Sequence, residues 1–274
     1  MEMRKIVDSN FLRSSRLADY LGRSKTHFAV LTDYAAMEAY KGNTLSSIHR
    51  SMEILSAYPS QVIILKNTLL VCGLRPRTSH LQRRMIDSEQ TAGFDQYCRH
   101  LKEAANGNKM IQDQLLAMGR EADEHMERML HDAEKMGEAP GSVAKTFKDE
   151  ELKILRKKLP FTKTMLEKIF KEAMMIAAIL FRDHPRVTKW PNAQQLVSTY
   201  IFRFSLGALF VALKKIQTGA EAKLKPERFR NDLVDLSFAT YGTFFDGLLT
   251  EDKNLKELYV TMTTVLSLGF DVRT

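Results

Sequence analysis

Cysteine, tryptophan and long apolar runs are what this 274-residue chain has least of. Its two cysteines, Cys72 and Cys98, are too few and too oddly placed for a disulfide framework or a zinc site, so they read as small core residues in a reducing compartment. The longest apolar stretches, 173–181 and 206–213, fall well short of the roughly 18 residues that a membrane span requires. No apolar segment follows the basic start, which moves directly into a strand pattern, so no secretory signal is expected. Walker-type phosphate loops, nucleophile elbows and paired-cysteine metal motifs are missing too, which disfavours an ATPase, a serine hydrolase and a zinc enzyme. Acid is in deficit: 41 lysines and arginines against 33 aspartates and glutamates leave a formal charge of +8, which fits a partner with a phosphate backbone. The expectation is a soluble, cytoplasmic protein with no membrane partner, built as one large domain or two small ones.

What is present is acid at particular places. In RNDLVDLSFATYGTFFDGLLTEDKNL, residues 230–255, Asp232 and Asp235 fall in the first turn of a predicted helix that continues through Phe238, Ala239 and Tyr241. A short apolar strand at 247–249 then runs into Thr250-Glu251-Asp252. A strand so short and apolar belongs inside a buried parallel sheet, and Asp252 then lies just past its carboxyl end, where open α/β folds build their sites. Taken singly, each of these acids is equally well explained as a helix cap or a turn former.

The other end of the chain has the same grammar. RKIVDSNFL, residues 4–12, reads as strand, then Asp8 and Asn10, then an amphipathic segment carrying Leu12, Leu17, Tyr20 and Leu21. HFAVLTDYAAMEAYKG, residues 27–42, gives an apolar run, Asp33 as a helix N-cap after Thr32, and Glu38 inside the helix so opened. Thr44 is placed to cap a further helix with Ile48, Met52, Leu55 and Tyr58 on one face, and Pro59 stops it. QVIILK, residues 61–66, is the expected second strand of the core sheet, joined by a right-handed parallel crossover.

The order strand-Asp-x-Asn, helix-borne Glu, late helix Asp and strand-Thr-x-Asp resembles the PIN-domain nucleases, with DSNFL, MEAYKG and TEDKNL as the phrases that carry the likeness. Carried over residue by residue, the family's metal-binding quartet falls on Asp8, Glu38, Asp235 and Asp252. Asp232 competes for the third place, and Asn10 and Thr250 stand beside the ligands. The resemblance implies a PIN-like parallel sheet flanked by helices and a magnesium- or manganese-dependent nuclease, RNA being the commoner substrate among such proteins, with a toxin or defence role in view. The chemistry also has a reason of its own. Carboxylates gathered in one cleft repel one another and cost stability unless a cation neutralises them, and an all-oxygen donor set suits magnesium or manganese. Such ions activate water for attack on a phosphodiester.

The resemblance spans the two ends, so the expected division is a discontinuous nuclease core at 1–74 and 226–274 around a helical insertion at 75–225. Within the insertion, Arg75, Arg77, Arg83 and Arg84 form a Pro-broken basic stretch suited to gripping phosphates, leading into a helix capped by Thr78 or Ser79. Lys157, with Lys153, Arg156 and Lys158, makes a second basic patch. Arg186, Lys189 and Trp190 make a third, where the indole either stacks a base or plugs the core. A stripe of Ile111, Leu115, Met118, Ala122, Met126 and Met129 marks a long packing helix whose outer face, with Glu121 and His125, reads as solvated. Residues 138–142 read as a linker. The helix at 164–181 is apolar on every side in its second half and is the expected centre of the subdomain, followed by a helix that Asn192 caps and that runs to about 215. Two other readings remain open: a catalytically silent scaffold whose insertion docks a protein partner, and a structure-specific DNA nuclease.

Overall fold

The computed structural model describes residues 1–42, 44–75, 81–135, 143–157, 159–187, 189–218 and 226–271. The expected linker at 138–142, Arg77, Lys158 and the helix caps at Thr78 and Ser79 lie outside these residues. The chain is mixed α/β and mostly helical, with one all-parallel sheet. In order, the elements are β1 (Met3–Val7), α1 (Ser15–Gly22), β2 (His27–Leu31), α2 (Asp33–Tyr40), α3 (Thr44–Ser56), β3 (Val62–Ile64), α4 (Thr68–Cys72), α5 (Leu81–Met85) and α6 (Ser88–Ala105). They continue with α7 (Lys109–Lys135), α8 (Asp149–Arg156), α9 (Lys163–Asp183), α10 (Ala193–Leu196), α11 (Tyr200–Gln217), α12 (Pro226–Gly242), β4 (Leu248–Leu249) and α13 (Lys253–Asp271). Among the described residues no helix is long and apolar enough to cross a membrane.

Two compact units divide the chain. The first comprises 1–71, 79–127 and 241–253, the second 72–78, 128–240 and 254–274. The first unit holds the sheet, in the order β3-β2-β1-β4 with every neighbouring pair parallel. The run His27–Leu31 is a strand in its own right, paired to β1 from Met3↔His27 to Ile6↔Val30, so 62–64 is the third strand in sequence and not the second. Consecutive residues Ile6, Val7, Ala29, Val30, Val62 and Ile63 are all buried, which means that both faces of the sheet are covered, as an all-parallel sheet requires. Phe94, Cys98 and Leu101 from α6 and Ile111 and Leu115 from α7 join Val7, Leu31 and Val62 in one core cluster, which is why 79–127 belongs with the sheet. Buried Gln61 holds the sheet's entry: its amide donates to the carbonyls of Leu21, Ser24 and His27 at 3.0, 2.9 and 2.7 Å.

In the second unit α11 is the central helix. Tyr200, Phe202, Leu206, Leu209, Leu213 and Ile216 are buried around its whole circumference. The expectation that α9 is the centre is thereby corrected: its inner stripe of Met165, Ile169, Ala173, Ala177 and Phe181 is buried, whereas Met175 and Ile179 are 51% and 52% exposed. The helix after Asn192 is also shorter than expected. Asn192 and Gln195 form a capping box on the single turn α10, and α11 restarts at Thr199, whose hydroxyl accepts the Phe202 N–H at 3.2 Å. α12 begins at Pro226, with Glu227 in its first turn, so Asp232 and Asp235 lie in the helix interior and cannot be caps.

Gly207 of α11 is the point of closest approach in this unit. A Cβ built there lies 2.3 Å from a Leu236 methyl and 2.8 Å from the Met262 sulfur. Gly207→Ala gains about 1 kcal/mol of helix propensity but forces an overpacked contact costing about 1–3 kcal/mol. Net destabilisation is expected, read as a lower urea midpoint at unchanged slope.

Candidate functional site

The strands β1, β2 and β4 end side by side, and each is followed by an acidic segment. β1 leads to β2 and β3 on one side, while β4 lies on its other side, so the strand order reverses between β1 and β4. That is the place where parallel α/β sheets open a crevice at their carboxyl edge. Asp8 follows β1 and continues its ladder, its N–H donating to the Leu249 carbonyl at 3.0 Å. A 3₁₀ turn at 9–13, anchored by buried Phe11 and Leu12, then folds the next residues back over the strand end.

Asp8 is 2% exposed. Thr250, just past β4, donates its hydroxyl to one carboxylate oxygen of Asp8 at 2.8 Å and accepts the Asp252 N–H at 3.0 Å. The Ser9 hydroxyl reaches the other Asp8 oxygen at 3.4 Å and also hydrogen-bonds the Glu38 carboxylate. The Asn10 contribution is its main-chain N–H, directed at Asp8, and the residue itself is exposed. Burial pushes the Asp8 carboxyl above its ordinary value of 3.8. The hydrogen bonds from Thr250, Asn10 and Ser9 oppose this, and the negative charge of Asp252 adds to it. Among the described residues no lysine or arginine is paired with Asp8. Asp8, Glu38, Thr250 and Asp252 are therefore brought together within the first unit, through one serine and one threonine. Ser9 was not singled out from sequence. Its only signal was a hydroxyl next to the strand-end acid, a composition common to many turns.

The other expected residues fall elsewhere. Asp33 is the first residue of α2, and Thr32 is its N-cap, accepting the Ala35 N–H at 3.1 Å. The Asp33 carboxylate takes the Thr68 N–H at 2.7 Å, the Thr68 hydroxyl at 2.9 Å and the Tyr34 N–H at 3.0 Å, so it fastens the end of β2 to the start of α4. Burial raises its pKa, while these bonds and the nearby His125 lower it, so His125 faces a carboxylate and the ring of Tyr34 instead of solvent alone. Asp232 and Asp235 belong to the second unit, where both line a cavity of about 580 Å³ with Lys214, Lys215 and Arg228. Asp232 is ion-paired to Lys215 at 2.7 Å, and both side chains are largely buried. Arg83 and Arg84 lie on α5 in the first unit, and Arg75, Lys157, Arg186, Lys189 and Trp190 lie in the second. Trp190 is 56% exposed with its ring 6.1 Å from Phe181, so it does not plug the core.

The donors near Asp8 are all oxygens, a set that suits a hard divalent cation. Among the described residues no three Asp, Glu, His or Cys side chains are grouped so as to hold one ion. Fold and site together define a parallel α/β protein with carboxylates clustered at the switch point of its sheet. Comparison with protein-family models, with curated proteins and with solved structures gives no match.

The electrostatics at Asp8 make a pH prediction. A carboxyl whose folded pKa lies above its unfolded value favours folding fully below the unfolded pKa and loses that advantage as pH rises through the folded pKa. Without divalent metal, Asp8→Asn is therefore expected to raise the melting temperature at pH 7, with the gain disappearing below about pH 4. Scanning calorimetry in EDTA across pH 3–8 checks this.

Proposed function

We propose that the protein is a divalent-metal-dependent nuclease of PIN-like type, acting as an endoribonuclease. The observation that carries this reading is the buried Asp8 carboxylate at the switch point of a parallel sheet, joined through the Ser9 hydroxyl to Glu38 and through Thr250 to the backbone of Asp252, and balanced only by neutral donors. The net charge of +8 supports a polyanionic substrate. Asp8 and Glu38, already sharing the Ser9 hydroxyl, would hold a magnesium or manganese ion, and Asp252 would act beside them. When bound, the ion supplies Lewis-acid activation of water and neutralises charge on the phosphate. Thr250 fixes the Asp8 carboxylate and the backbone of Asp252 in one register, and Ser9 orients Asp8 toward Glu38. The preference for RNA over DNA rests on the sequence resemblance, so the test carries both substrates.

Purified protein is incubated with labelled single-stranded RNA, transfer RNA and flapped DNA, with magnesium or manganese. Cleavage is expected for RNA, and Asp8→Asn and Glu38→Gln are each expected to lower it by about 100-fold or more, with Ser9→Ala about tenfold weaker. Manganese is expected to raise the melting temperature of the wild type and not of Asp8→Asn, since only a ligand of the native state stabilises it. Equal cleavage by wild type and Asp8→Asn, with equal manganese response, would overturn the proposal.

A further inference from the structure

Two aromatic side chains of the first unit stand close to the acids without being part of them. On α2, Ala35, Ala39 and Tyr40 turn inward and are buried. Tyr34 and Glu38, one helical turn apart, share the outer face and are partly exposed. Glu38 meets Ser9 just beyond β1, so that face looks onto the crevice, and Tyr34 stands about 6 Å from Glu38 along the helix axis. α7 brings the second ring. Its inner stripe of Ile111, Leu115, Ala122 and Met126 is buried, and Gly119 lets it lie directly on the start of α3, since a Cβ there would come within 2.5 Å of the Thr44 hydroxyl. Further along α7 the partly exposed His125 reaches Tyr34, the two rings 6.4 Å apart between centroids and tilted by 59°.

A pair tilted in this way leaves ring faces that its partner does not cover. Tyr20 and His27, at the amino edge of the sheet, show the closed alternative: they stack at 4.7 Å and 12°, with Lys5 over the Tyr20 ring and Tyr20 itself 8% exposed. Asp33 steadies the open pair. Its carboxylate takes the Tyr34 N–H at 3.0 Å, is fastened to Thr68 and lies near His125. We infer that Tyr34 and His125 form a stacking shelf for one unpaired base of a nucleic-acid strand, beside the phosphate that the acids would address. The choice of a nucleic-acid ligand rests on the nuclease reading, and the shelf itself on the ring geometry. Every base has a π-face, and aromatic side chains in a basic protein are what receives it in single-strand binders. A base reaches such a shelf only when it is out of a duplex, so the site selects single-stranded or looped segments over paired ones. Because both rings are already held by packed helices, little ordering accompanies binding.

Fluorescence anisotropy of a labelled oligoadenylate with the full chain in EDTA, where metal-dependent cleavage does not intrude, reads the shelf separately from the chemistry. Tyr34→Leu and His125→Ala are each expected to weaken binding at least about fivefold, whereas Tyr34→Phe, which keeps a ring, is expected to bind like the wild type. Pairing the strand with its complement is expected to remove the difference between wild type and Tyr34→Leu. In magnesium, Tyr34→Leu is expected to raise the KM for cleavage and leave kcat little changed. Circular dichroism on the same samples confirms that the variants are folded. A wild type that does not bind the single strand, a Tyr34→Leu chain that binds it equally well, or a Tyr34→Phe chain as weak as Tyr34→Leu would each overturn the inference. Ring-dependent binding by a chain that cleaves nothing would instead sink the nuclease reading and leave the shelf standing, and cleavage by Tyr34→Leu at the wild-type KM would do the reverse.

Discussion

The pairing of β1 with β4 is the contact on which the first unit's site depends. It is short, Ile6 against Leu248 and Val7 against Leu249, yet it sets Asp8 opposite Thr250, 242 residues away in sequence. A ladder of this length contributes few hydrogen bonds against a large loop-closure entropy, so its register needs other support. Asp246 provides some of it: its carboxylate accepts the Arg4 N–H at 2.7 Å, and its own N–H donates to the Arg4 carbonyl at 2.9 Å. Gly247 then turns into the strand at φ 136°, a conformation that side-chain-bearing residues rarely adopt. The acid cluster is thus positioned by backbone geometry on both strands before any acid contacts another.

The energetics of that cluster run against stability. A carboxylate almost wholly removed from water, with a second acid nearby and hydroxyl and amide donors as its neighbours, is held in a state that a simple polar turn would avoid. Asp33, one strand away, shows the contrasting solution. Its three donors from Thr68 and Tyr34 join two elements, and its role is accounted for by the architecture. Two acids at adjacent strand ends, both with pKa raised by burial, thus each tie two elements together, Asp33 the end of β2 to α4 and Asp8 the end of β1 to Thr250 beyond β4.

Much of this was legible in the residues. The apolar runs at 3–7, 27–31 and 62–64 are strands because β-branched and apolar residues recur between turn formers, and the acids that end the first two follow directly. Thr250 was singled out only through the resemblance to the strand-Thr-x-Asp pattern, and in the structure its hydroxyl joins the Asp8 carboxylate to the Asp252 N–H. Other features were not. Apolarity around a helix does not say which of two such helices is enclosed: α11 and the second half of α9 read alike, and only packing separates them. Mid-helix acids such as Asp232 and Asp235 mimic caps when the true start, Pro226, is not recognised as one. Which helices cover the sheet is a matter of contacts between residues far apart in the chain, as when Phe94 and Ile111 join Val7 and Val62.

The remoteness of β4 from β1 also has a consequence in time. A ribosome adding about 5–20 residues per second needs roughly 12–50 s to pass from Asp8 to Thr250, and throughout that interval the growing chain lacks the strand that completes the sheet's edge. The acids at the two strand ends are thereby kept apart in the nascent polypeptide until the residues beyond 250 have been made.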